Sequence, residues 1–310
     1  MTFAFVFPGQ GSQSIGMMQP FEATKGVRQV FDEASESLGQ DLWALVAVGP
    51  ADALSSTVNT QPVMLTAGYA VYRAWLDAGG PKPALVAGHS LGEYTALVAS
   101  GALAFRDALP LVRFRAQAMQ ETVPAGAGAM AAVLGLDDDA VGAACREASQ
   151  GQVVEPVNFN APSQVVIAGH REAVERGVAA AKAKGAKRAV MLPVSAPFHS
   201  SLLKPAAEKL AAYLANVSLN PPSIPLVNNV DVAIETEPGR IKDALARQAC
   251  SPVRWVGVVR HLAEAGVTRV AECGPGRVLA GLVKRIDGNL QGSAITDPQS
   301  LEEALRALPT

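Results

Sequence analysis

The pentapeptide Gly88-His89-Ser90-Leu91-Gly92 constrains this chain more than any other feature. It follows a short β-prone apolar run, residues 84–87, and opens a helix-prone run, residues 91–103. Strand, sharp Gly-flanked turn and helix, in that order, make a nucleophile elbow, which lifts a serine hydroxyl clear of the backbone. The helix behind the turn points free N–H groups and a positive dipole end at whatever the serine attacks. Gly-x-Ser-x-Gly also arises by chance, but then without strand and helix on the correct sides. Ser90 is therefore the candidate nucleophile.

Residues 3–7 read as a buried strand that runs into the small-residue loop 8–13. Helices are expected at 27–38, 61–78 and 106–121. A linker at 124–128 precedes a different pattern: strand 129–136, a helix capped by Asp137-Asp138-Asp139 and running to 148, strand 153–159, a turn at 160–163, strand 164–168, helix 172–184 and strand 188–194. That βαββαβ order is the ferredoxin-like split βαβ unit. Beyond it come helix 202–217, strand 224–227, helix 253–265, strand 268–273 and a helix from Val278. Alternating strands and helices predict an α/β fold with a mostly parallel sheet. The expected domains are a large body, 1–125 and 196–310, and a ferredoxin-like insert, 126–195. Ligands sit beyond the carboxyl ends of such strands. The Gln10 loop, Ser90 and Gly274 all follow strands and should share one edge.

With 310 residues, 49% hydrophobic and 17% charged, the chain can bury a large core. Its net charge of −2 offers nothing global to nucleic acid or to an anionic membrane. The basic cluster Lys182, Lys184, Lys187 and Arg188 reads as a solvated helix end, with a docking patch for an acidic partner as the alternative. Three widely spaced cysteines without a CxxC argue against both a disulfide framework and a zinc site. The first apolar run stops at Pro8-Gly9, and no run reaches the roughly 18–20 apolar residues that cross a bilayer. A cytoplasmic protein is expected.

A serine hydroxyl needs a base. Among four histidines, His89 sits inside the elbow and should point away; His170 opens a helix and His261 lies within one. His199 falls where the chain re-enters the large body, near an expected interdomain cleft, and is the candidate base. An oxyanion needs amide donors. Leu91 N–H follows the nucleophile, and Gln10 between Gly9 and Gly11 suits the second place. Gly9-Gln10-Gly11 as a dinucleotide fingerprint is weak, because the third glycine is missing. Arg115 shares a helix face with Ala108, Leu111, Val112, Ala118 and Met119, an otherwise apolar surface. A guanidinium there needs an anion: either Glu93, structurally, or a substrate carboxylate. Arg113 falls on the polar side and should face solvent.

Read in order, FPGQGSQ (7–13), GHSLGEY (88–94), Arg115 ahead of Met119-Gln120, VNFNAPSQVVIAG (157–169), His199, Gln248 followed by SPVRW (251–255), and ECGPG (272–276) resemble the malonyl-CoA:acyl-carrier-protein transacylase family of fatty acid and polyketide synthesis. The resemblance runs over essentially the whole chain. It implies an α/β-hydrolase-like large domain with a ferredoxin-like insert. It implies that Ser90 takes malonyl from malonyl-CoA and passes it to the phosphopantetheine thiol of an acyl carrier protein. His199 would be the base, Gln10 and Leu91 amides the oxyanion hole, and Arg115 the clamp on the malonyl carboxylate. The backbone carbonyl of Gln248 would orient His199 in place of a third acid, with Asn158 and Met119 in supporting positions. The coenzyme A thioester would be a substrate, with no permanently bound cofactor and no metal. Phe198 before the histidine resembles malonyl-selective modules. A hydrolase with the same nucleophile, and a scaffold with a dead site, are the alternatives. Nothing demands more than a monomer.

Overall fold

The computed structural model describes residues 2–308. The chain runs β1 (Thr2–Phe7), α1 (Val27–Leu38), α2 (Leu42–Val48), α3 (Ala51–Ser55), α4 (Thr57–Asp77), β2 (Leu85–Gly88), α5 (Gly92–Ala99) and α6 (Phe105–Thr122). It continues β3 (Gly128–Leu134), α7 (Asp138–Ser149), β4 (Val154–Ala161), β5 (Gln164–His170), α8 (Arg171–Ala183) and β6 (Arg188–Met191). The last part is α9 (Lys204–Ala215), β7 (Leu226–Val227), α10 (Pro238–Gln248), α11 (Trp255–Glu264), β8 (Val267–Cys273), α12 (Val278–Ile286), β9 (Gln291–Ile295) and α13 (Pro298–Ala307).

Five strands form a parallel sheet in the order β7-β2-β1-β8-β9. Period-2 alternation along β1 divides its side chains between two cores. Phe3, Phe5 and Phe7 face α4, where Phe5 meets Trp75 edge-on at 5.2 Å and Tyr72 at 6.1 Å between ring centroids. Ala4 and Val6 face the other way and pack with Val258 and Leu262 of α11 and with Leu279 and Val283 of α12. Small residues on that side let the helices lie close to the sheet.

Residues 128–191 form a second sheet, antiparallel, in the order β4-β5-β3-β6. This is the ferredoxin-like order expected from βαββαβ. On one face Val165 and Ile167 pack beneath α7 and α8 with Val141, Ala144 and Val174. On the other, Met130, Val157, Val166 and Ala168 join the main core with Ala196 and Phe198. The small sheet is thus buried on both faces.

Several expected boundaries move. α4 starts at Thr57 instead of 61, because burial and the Thr60 Oγ1–Leu54 O hydrogen bond (2.6 Å) outweigh the weak helix propensity of Thr-Val-Asn-Thr. α5 ends at Ala99, where the N–H groups of Ala102 and Leu103 both turn back to Leu97 O. The expected helix from 253 begins at Trp255, since Val253 pairs with β4 through Val157 and Phe159. β4 continues to Ala161, so the turn shrinks to Pro162-Ser163. Strand 188–194 stops at Met191. β9 (QGSAI) gave no apolar pattern because it is a largely exposed edge strand.

Candidate active site

β1, β2 and β8 are neighbours and parallel, with Phe7 level with Gly88 and Val6 level with Glu272. The loops after these strands therefore meet at one edge. Ser90 sits there with a left-handed backbone (φ +53°), the strain typical of an elbow. Only glycine fits at Gly92, where a Cβ would lie 2.0 Å from Phe7 O. Asn229, in the loop after β7, brackets the turn: its Oδ1 accepts from Ser90 N (2.7 Å) and its Nδ2 donates to Gly88 O (2.7 Å). Sequence reasoning missed Asn229; the Asn228-Asn229 pair directly after a buried strand was the available signal.

His199 Nε2 lies 2.7 Å from Ser90 Oγ, and its Nδ1 lies 2.8 Å from the backbone oxygen of Gln248. A carbonyl only accepts, so Nδ1 carries the proton and Nε2 presents its lone pair to Ser90. Burial, aided by the Arg115 charge, pushes the imidazole down to about 3, which keeps it neutral at neutral pH. The loop is held from the small sheet: Glu155 of β4 accepts from Ser201 N and Ser201 Oγ, both at 2.8 Å. His89 turns away to Asn160 Oδ1 (2.8 Å) and the Trp255 ring. His170 ends β5 and caps α8, its Nδ1 accepting from Val153 N. His261 lies in the last turn of α11.

Arg115 is 2% exposed. Its guanidinium donates to Gln61 Oε1 (2.7 Å), Gln248 Oε1 (2.8 Å) and Ser90 Oγ (3.2 Å), and lies over the Tyr94 ring. Every one of these partners is neutral. Glu93, the alternative partner, makes no ion pair with it; Gln248 stands between them, donating to Glu93 Oε2 at 2.9 Å. The buried charge thus reaches Ser90 with no anion in contact with it. Arg113 corrects the expectation of a solvent-facing residue. It is half-buried and ties α6 to the α1–α2 connection through Leu38 O (3.0 Å) and the Gln40 side chain.

Gly9 brings the first loop against the elbow; a Cβ there would meet His89 O at 2.5 Å. Among the described residues, neither Gln10 N–H nor Leu91 N–H donates a hydrogen bond, so both are free for a ligand. The Gln10 side chain connects through Thr57 Oγ1 (2.8 Å) and Gln61 to Arg115. Asn158 of β4 bridges to Val253, and its buried Oδ1 has no partner. Met119 lies one turn beyond Arg115 in the apolar core, with no polar role. Ser90, His199, Arg115 and Gln248 therefore come together, whereas Met119 only packs. No group of three or more His, Cys, Asp or Glu placed to hold a metal occurs among the described residues. None of the described helices is long and apolar enough to cross a membrane.

A serine on a strained strand-to-helix turn, paired with a histidine at the carboxyl edge of a parallel sheet, is the arrangement that serine-dependent acyl-transfer and hydrolytic enzymes use. Comparison with known proteins narrows the class. The acyl transferase domain family matches residues 4–289, and the chain belongs to that family. It is 56% identical over 304 residues to the malonyl CoA-acyl carrier protein transacylase of Escherichia coli K12, covering 98% of each chain. Identity to the Bacillus subtilis protein of the same name is 45%, over 98% of this chain and 96% of that one. Among solved structures, the acyl-carrier-protein S-malonyltransferase of Burkholderia pseudomallei 1710b superposes with a TM-score of 0.98 at 67% identity, covering 99% of this chain and 100% of that one. A type II PKS acyl-carrier protein in complex with its malonyl-transacylase gives 0.98 at 52% identity, with the same coverage.

Proposed function

We propose that this enzyme transfers malonyl from malonyl-CoA to the phosphopantetheine thiol of an acyl carrier protein through a malonyl-serine intermediate. One observation carries the reading: a fully buried Arg115, paired only with neutral groups, touches the nucleophile. An acyl group ending in a carboxylate would supply the missing anion. Three of the five guanidinium N–H groups are engaged, which leaves one on Nη1 and the buried Nε–H without a partner. The names of the relatives agree with this reading.

His199 Nε2 takes the Ser90 proton as Oγ attacks the thioester carbonyl. Gln10 and Leu91 N–H groups receive the oxyanion. Collapse expels the coenzyme A thiolate, which takes the proton back from His199. The carrier thiol then gives its proton to His199, its sulfur attacks the ester carbonyl, and Ser90 leaves reprotonated. Gln248 O holds the imidazole in the required tautomer, as a carboxylate does in a triad. Asn158, whose buried Oδ1 has no partner, would meet the ligand. The coenzyme A thioester acts as substrate and no resident cofactor enters. Residues 126–195 form one unit walling the cleft against 1–125 and 196–310, in a cytoplasmic monomer without membrane or nucleic-acid contacts.

Intact-mass spectrometry after mixing with malonyl-CoA tests this. A malonyl adduct should appear, persist in water and discharge on adding holo carrier protein. Ser90→Ala should show none. Rapid discharge by water alone would mark a hydrolase, and an adduct in Ser90→Ala would move the nucleophile elsewhere.

A further inference from the structure

We propose that Glu93 is a positioning residue of this site: its carboxylate holds the Gln248 side chain in the one orientation that serves Arg115, Ser90 and His199 together. The inference rests on the reading of Ser90 as the acylated residue.

The orientation follows from donors and acceptors. A guanidinium only donates, so the Gln248 atom 2.8 Å from Arg115 must be its oxygen. Nε2 then faces two acceptors, Ser90 O at 3.0 Å and Glu93 Oε2 at 2.9 Å. Turned over, the amide would set its NH2 against the guanidinium and its oxygen against two oxygens. The Glu93 oxygen that meets Nε2 also accepts the Asn229 N–H, so it presents lone pairs on this side and makes the choice one-way. Gln248 is also the last residue of α10, and its backbone oxygen receives His199 Nδ1–H. Fixing this one residue therefore fixes the guanidinium and the imidazole at once. The same Glu93 oxygen accepts from Asn229 N (2.9 Å), and Asn229 brackets the elbow.

Glu93 is an expensive way to fill this space. It is 2% exposed, forms no ion pair, and burial pushes it up to about 7. An apolar residue of equal size is commonly as stable or more so at such a place. What an apolar residue lacks is the acceptor.

Glu93→Met keeps the volume and removes the acceptor. Glu93→Gln can place its oxygen at the Oε2 position and turn its NH2 toward the small cavity that Glu93 lines with Leu97, Leu226 and Asn228. Single-turnover acylation of each by malonyl-CoA and by acetyl-CoA, read by intact mass, tests the proposal beside melting temperatures. Glu93→Met should fold and acylate about 10- to 100-fold more slowly with malonyl-CoA, the usual scale for a misplaced site. Its malonyl-to-acetyl ratio should fall, because Arg115 loses its aligned partner. Glu93→Gln should stay within about 3-fold of wild type. In a Gln248→Met background, Glu93→Met should add no further loss, since it acts through that amide. Wild-type rate and ratio in Glu93→Met would overturn the inference. So would equal damage in Glu93→Gln, or additive losses in the double variant. No adduct in the wild type would overturn the acyl-transfer reading and this inference with it.

Discussion

Two strands of the parallel sheet, one on either side of β1, end in the same way but meet different surroundings. β2 runs through a Gly-flanked turn into α5; β8 runs through Gly274-Pro275-Gly276 into α12. Each carries a buried glutamate that burial pushes up to about 7, Glu93 in the first and Glu272 in the second. Glu272 Oε2 accepts from Ala280 N (2.9 Å) and satisfies the start of its own helix. Glu93 instead binds side chain and backbone from α10 and the β7 loop. The nucleophile-capable residues differ too. Ser90 is half-buried and faces His199, whereas Cys273 is fully buried with a thiol pushed far above its ordinary range. The local motif is a generic way to end a strand. What sets the β2 end apart is the arrival of Arg115, His199 and Gln248 from three other segments.

The sharpest test of that contrast is His199→Ala, which should slow acylation by about 10²–10⁴-fold, the range for a lost general base. Cys273→Ala at the other strand end should leave the acylation rate unchanged. Comparable losses in single-turnover experiments would erase the distinction.

Arg115 and Arg113 set the proposed substrate clamp against a packing arginine on one helix. Arg115→Ala should cut malonyl kcat/KM by roughly 30- to 4000-fold, equivalent to about 2–5 kcal/mol, while acetyl transfer loses far less. Arg113→Ala should lower the melting temperature, because it strips hydrogen bonds from Leu38 and Gln40, without altering the malonyl-to-acetyl ratio. Equal losses for both donors in Arg115→Ala would make that arginine structural.

The smallest effect concerns pH. Glu272 has a folded pKa raised from 4.5 to about 7, so its contribution to stability is complete below 4.5 and is lost as pH rises through 7. His199 runs the other way: lowered from 6.5 to about 3, it favours the fold above 6.5 and loses that contribution as pH falls toward 3. Glu272→Gln should therefore flatten the decline in urea stability between pH 4.5 and 7 and leave acylation at its wild-type rate. A slower acylation step would show that the β8 end also serves the chemistry.

Residues within a few positions of one another were the most legible. The elbow, the βαββαβ order, the Asp137 cap and α1 follow from periodicity and turn chemistry, which act over one or two turns of chain. His199 emerged because only four histidines exist, one within the elbow and pointing away, and two read as ordinary helix residues. Arg115 emerged because a charge on an apolar face is costly. Arg113 misled for the complementary reason: the polar side of α6 does not meet solvent but packs on the α1–α2 connection. Gln61 and Glu155 left no such trace, since a polar residue bonded to a distant partner looks like any other polar residue.

The sequence by itself determined many of the elements, that they alternate into an α/β body with a ferredoxin-like unit, and which side chains could do acyl chemistry. Those properties depend on local propensity, side-chain period and residue type. Only the tertiary structure decided that Arg115 meets no carboxylate, that Gln248 stands between it and Glu93, and that the Gln248 backbone oxygen sets the tautomer of His199. Ser90 and Gln248 are 158 residues apart. Hydrogen bonds over such separations depend on where the sheet brings its strand ends, and no repeat or period in the chain encodes that.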